Sequence, residues 1–96
     1  MELVINEKKV VLRDKLPAEL GWNIIVKKAN ILGKNWSDIE FSDLALLLSV
    51  AVESWELDGD PHDPAVYADL DMFKEFMPLA TQLDAWVNQN MSPAKN

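Results

Sequence analysis

Residues 43–56, Asp-Leu-Ala-Leu-Leu-Leu-Ser-Val-Ala-Val-Glu-Ser-Trp-Glu, limit the possible folds more than any other stretch of this 96-residue chain. Leu44, Leu47, Leu48, Ala51 and Trp55 recur at i, i+3, i+4, i+7 and i+11, the spacing of one helix face. Leu46, Val50 and Val52 add apolar surface outside that stripe. The polar arc is narrow: Asp43, Ser49, Glu53, Ser54 and Glu56. A helix over 43–56 with this pattern is buried on two sides, either as the central helix of the fold or with one side facing a partner.

The segments around it predict an α+β domain. Residues 2–6 and 9–13 are rich in β-branched and aliphatic side chains and are joined by the polar Asn6-Glu7-Lys8-Lys9, which reads as a β-hairpin. Leu3 and Ile5 alternate with Glu2, Val4 and Asn6, giving the hairpin one apolar face that must pack on something. Pro17 suits the start of a helix reaching Leu32, with Gly33 as its left-handed terminator. Ser37 or Ser42 is the expected cap of the central helix. Asp63-Pro64 predicts the capped start of a short helix over 65–70, and Asp71 the cap of a last helix to about Asn90. Phe73, Phe76, Met77, Ala80, Leu83 and Trp86 or Val87 form the apolar face of that last helix, and Pro78 within it predicts a kink. The expected architecture is an N-terminal β-hairpin on a small bundle of three to four helices, one domain over 1–90, with 91–96 a loose tail.

Charge is unevenly placed. The net of −7 divides into +3 over residues 1–34, −10 over 35–73 and 0 over 74–96. Such asymmetry bears on partners and solubility rather than on fold. Bases interspersed with acids on an acidic chain make a poor phosphate-binding surface, so nucleic acid is not an expected partner. The acidic block instead suits a DNA mimic that inhibits a nucleic-acid-binding protein, which stands as the alternative reading.

Several chemistries find no footing. Without cysteine there is no disulfide framework or thiol nucleophile, and a single histidine, His62, excludes a multi-histidine metal site. The loop Asp58-Gly59-Asp60-Pro61-His62-Asp63 fails the calcium-loop register, because proline falls where glycine is needed. Its aspartates read as turn and cap residues. No nucleophile with an activating context and no glycine-rich phosphate loop is present, so no enzyme, cofactor or metal is expected. The longest apolar run, Leu44–Leu48, is far short of a membrane span, and no signal peptide is recognisable, which points to the cytoplasm. Of the four tryptophans, two or three are expected in the core. Trp55 is the best candidate for a binding hot spot.

The Leu3-Val4-Ile5-Asn6 and Val10-Val11-Leu12 hairpin, the Leu16-Pro17-Ala18-Glu19-Leu20-Gly21-Trp22 stretch, and Glu53 through Pro64 continuing to Tyr67 and Leu70-Asp71 resemble the tail assembly chaperones of long-tailed bacteriophages and prophages; Pro78-Leu79 is also similar. The resemblance implies a non-enzymatic protein that binds the helical tape-measure protein and keeps it soluble during tail assembly. On that reading Leu48, Val52, Trp55 and Leu57 form a groove edge for the partner helix, and Asp58, Asp60 and Asp63 an acidic rim. The charge split adds self-association, the basic end of one copy against the acidic loop of another, as a further expectation.

Overall fold

The computed structural model describes residues 1–27 and 38–90. The expected hairpin is present: β1, Glu2–Ile5, pairs antiparallel with β2, Lys8–Leu12, with Leu3 opposite Val10 and Ile5 opposite Lys8. Asn6 and Glu7 form the two-residue turn, with φ of 51° and 66°. Positive φ at both central residues is the signature of a type I′ turn, whose twist matches that of the strands it joins. Ile5, Val10 and Leu12 point into the core, while Val4 is exposed.

The predicted 43–56 helix is corrected at its C-terminal end. α2 spans Phe41–Ala51, and Val52–Trp55 is a third strand, β3, antiparallel to β2 in a sheet of order β1-β2-β3. Val10 faces Trp55, Val11 faces Ser54 and Leu12 faces Val52, with an irregularity between Val11 and Leu12. Arg13 explains where the helix stops: its backbone N–H donates to the Ala51 carbonyl and its Nε to the Val50 carbonyl, both at 2.8 Å. These terminal carbonyls have no partner inside the helix, and Arg13 satisfies them where the chain turns into the sheet. At the other end the N-cap position is Glu40, without a side-chain cap bond, and Ser42 lies inside the helix. The Ser37 alternative lies outside the described residues.

The helix expected over 17–32 begins as α1, Ala18–Leu20, and continues as a π-helical segment, Gly21–Val26. Gly21 is buried there, and an added Cβ would come within 3.1 Å of the Leu16 side chain. Its predicted end at Leu32–Gly33 lies outside the described residues, as does the 91–96 tail.

Asp63 and Asp71 cap as read from the sequence. Asp63 accepts from Ala65 N at the head of a 3₁₀ helix, Pro64–Asp69. Asp71 accepts from the N–H groups of Phe73 and Lys74. Beyond it a π turn, Met72–Phe76, leads into α3, Met77–Asn90. The disturbance expected at Pro78 thus takes the form of a widened turn just before it, where the chain needs no N–H from the proline. Glu75 returns a bond to Asp71 N, and its other oxygen accepts from Asn6 Nδ2, fastening the hairpin turn to this helix.

α2 is the central element, packed against the 21–26 segment, the 3₁₀ helix, α3 and β3. Leu47, Leu48, Val50, Ala51 and Val52 join Leu12, Tyr67, Leu79, Leu83 and Trp86 in one core cluster. Trp86 is fully buried and its Nε1 donates to the Arg13 carbonyl at 2.6 Å. Of the other tryptophans, Trp55 is half-buried, Trp22 is exposed and Trp36 lies outside the described residues, so among those described only Trp86 is a full core residue. No helix among the described residues is long and apolar enough to cross a membrane.

Candidate interaction surface

The residues expected to form the groove separate in space and in role. Leu48 and Val52 are 0% exposed and Leu57 is 6% exposed, all within the core. The protein's own fold covers all three side chains, so they offer no surface to a partner.

Trp55 is turned back onto its own loop. Its Nε1 donates to the Gly59 carbonyl at 2.8 Å, and its ring lies 5.2 Å from that of Tyr67 at an interplanar angle of 56°. Gly59 has φ of 89° with Val66 closing over it, so only glycine fits this turn. Tyr67 is buried, and its hydroxyl donates to the Pro61 carbonyl at 2.6 Å. Burial, and secondly the charge of Asp60, pushes the Tyr67 phenol above the ordinary tyrosine range.

The aspartates of the loop serve mostly to hold it. Asp60 Oδ1 accepts from His62 N at 2.9 Å and lies 3.5 Å from His62 Nδ1, while His62 Nε2 is 3.1 Å from the Glu53 carbonyl. Asp63 is the cap already described. Asp58 is exposed and lines a small polar cleft with Lys8, Asp69 and Glu75. No group of three His, Asp or Glu placed to hold a metal ion occurs among the described residues.

The exposed apolar surface lies elsewhere. Phe73 is 80% exposed, Met72 53%, Phe41 47% and Met77 43%. The sequence places Phe73 and Met77 on the buried face of the last helix; Met77 lies beside the face that α3 actually buries, Leu79, Leu83 and Trp86, and the π turn carries Phe73 off it. It adds one residue to the turn, which offsets the preceding positions by roughly 100°. Phe76 lies at regular helical spacing from the buried Leu79, Leu83 and Trp86, and Phe73, on the far side of the offset, is exposed.

The Phe41–Phe76 contact brings Phe41 to the turn that carries Met72, Phe73 and Met77, and these four side chains make up a strip. The Phe41 ring packs on Phe76 at 5.2 Å, joining the start of α2 to the π turn. On its other side Phe41 lines a shallow groove of about 340 Å³ with Ala45, Leu46, Pro64, Ala65 and Ala68, between α2 and the 3₁₀ helix. Glu40, Asp43, Asp69 and Asp71 flank this strip in sequence, and Lys74 is the one base beside it. The surface is suited to burying apolar side chains, between chain segments rich in carboxylates; no reactive group is assembled on it. One sequence signal marks it. The doublets Met72-Phe73 and Phe76-Met77 put large apolar side chains on more of the circumference than a single buried face can take.

Comparison with protein-family models, with characterised proteins and with solved structures finds no match to the chain.

Proposed function

We propose that this protein is a non-enzymatic binding module that holds an apolar helical segment of another protein, as the tail assembly chaperones it resembles hold the tape-measure protein. The observation that carries this reading is the strip from the Ala45–Leu46 groove across Phe41 to Met72, Phe73 and Met77. Soluble monomers rarely leave large apolar side chains clustered in the open without a use for them. A groove between two helices, continuous with a ridge of Met and Phe, suits a helix laid across it with anchors at i, i+3 and i+4. Methionine adds adaptability to such a surface. The acidic flanks keep the free protein soluble and select a client helix bordered by Lys or Arg.

On this reading the site of action is the cytoplasm of the bacterial host and the client is a tape-measure or other tail protein. The site differs from the groove expected from sequence, because Leu48, Val52 and Leu57 are core residues and Trp55 braces its own loop.

The test is binding of labelled amphipathic helical peptides, one set with Leu and Phe faces bordered by Lys and Arg, a second with the same faces bordered by Glu. Wild type captures the first set, Phe73→Ser and Met72→Ser capture it weakly with unchanged circular dichroism, and Trp55→Ala loses stability rather than affinity. Equal binding by Phe73→Ser overturns the site. A protein that ignores both sets but holds a DNA-binding protein through its carboxylates, releasing it steeply as salt rises, is the acidic mimic instead.

A further inference from the structure

The chain carries a second exposed apolar face. Trp22 is 57% exposed and Val26 48%. They border a groove of about 300 Å³ lined also by Leu16, Pro17, Gly21 and Asn90. Lys15 and Lys27 bracket this segment in sequence, with Glu19 its one acid. The Phe41–Met77 strip is bracketed instead by Glu40, Asp43, Asp69 and Asp71, against Lys74 alone. In sequence the first segment carries two lysines against one glutamate, and the strip's segments four carboxylates against one lysine.

The two faces lie at opposite ends of α3. Met77 opens that helix and belongs to the strip, while Asn90 closes it and lines the Trp22 groove. Its 14 residues span about 20 Å, so one copy cannot bring its own two faces together. We propose that a second copy of this chain covers the acidic strip with its Trp22 face, so that copies join head to tail. A contact between two different faces of identical chains leaves a free face at each end. It therefore grows past the dimer, into an open chain or a larger ring, rather than closing as a two-fold dimer does. Apolar contact supplies the affinity, and the opposite charges set the register and speed the encounter.

A client helix on the strip excludes the second copy, so client binding disassembles the chains. This competition rests on the client reading above; the assembly itself does not.

Sedimentation velocity of the full chain, read across protein concentration and salt, tests the proposal. Wild type grows beyond dimer with concentration and shrinks as salt rises. Trp22→Ser and Phe73→Ser each remove one face, and each alone is monomeric. Mixed, they form a one-to-one dimer that does not grow, because each retains the face that the other has lost. Lys15→Glu with Lys27→Glu blocks assembly at an exposed position where refolding is not in question, and Glu40→Lys with Asp69→Lys in the partner copy restores it. A wild type that stays monomeric at every concentration, a closed dimer, or a variant mixture that stays monomeric overturns the proposal. Intact assembly together with a strip that captures no basic helix overturns the client reading alone.

Discussion

Tyr67 is the only tyrosine in the chain, so its ionisation can be followed by tyrosinate absorbance with no other residue contributing. Its hydroxyl is buried and donates to the Pro61 carbonyl at 2.6 Å, and burial with the nearby Asp60 charge raises its pKa. Below about pH 10 the phenol is protonated in both folded and unfolded chains and contributes no pH dependence. Above that, the unfolded chain releases the proton while the folded one keeps it. The folded state then binds more protons, and stability falls by about 1.4 kcal/mol per pH unit until the buried phenol itself ionises. Tyr67→Phe keeps the ring against Trp55 but removes the donor and strands the Pro61 carbonyl, at a cost of about 1–2 kcal/mol near neutral pH. For a domain of this length that lowers Tm by roughly 5–15 °C. The variant lacks the alkaline loss, so the two stability curves cross about one unit above the ordinary tyrosine pKa. Urea unfolding monitored by circular dichroism at a series of alkaline pH values, beside the tyrosinate titration, measures both quantities. Tyrosinate appearing in the ordinary tyrosine range while the fold is intact, or parallel alkaline limbs in the two proteins, would refute the reasoning.

Glu7→Gly relieves a side chain held at φ of 66° in the hairpin turn and stabilises the fold by about 0.5–1 kcal/mol in urea unfolding. Asn6→Gly gains less, since asparagine tolerates this conformation and its contact with Glu75 is lost. Trp86→Phe removes the bond to the Arg13 carbonyl and leaves a void in the core, costing about 2–3 kcal/mol by the same measurement. Asp71→Ala frees the Phe73 and Lys74 N–H groups and costs about 1–2 kcal/mol, most of which Asp71→Asn retains.

The elements legible in the sequence are those whose cause is local. The hairpin follows from alternating β-branched residues around a polar connector, and the caps at Asp63 and Asp71 from a carboxylate reaching N–H groups two or three residues ahead. β3 was not legible, because Trp55 falls at i+11 of the helical pattern as well as on a strand. What decides between them is β2, whose paired residues lie 40 to 45 positions away in sequence. The same distance hid the fate of Leu48, Val52 and Leu57. An apolar helix looks alike whether its second side meets a partner or the protein's own 3₁₀ helix. Phe73 was misplaced by a single extra residue, since a helix of regular pitch puts it beneath Phe76. The π turn that shifts it has no residue signature of its own.

Ala51 ends α2 and Val52 begins β3 with no residue between them. The chain passes there from one periodicity to another in a fully buried stretch. An inserted residue would rotate the helix by about 100° or turn every side chain of the strand to the opposite face. Length cannot be added at this joint as it can in a surface loop, and bending it would break the two bonds from Arg13 to the terminal carbonyls. Helix and strand form a single lever, with Phe41 at one end and the edge of the sheet at the other. The backbone thus runs without a loop from Phe41, on the strip, to the edge strand of the sheet.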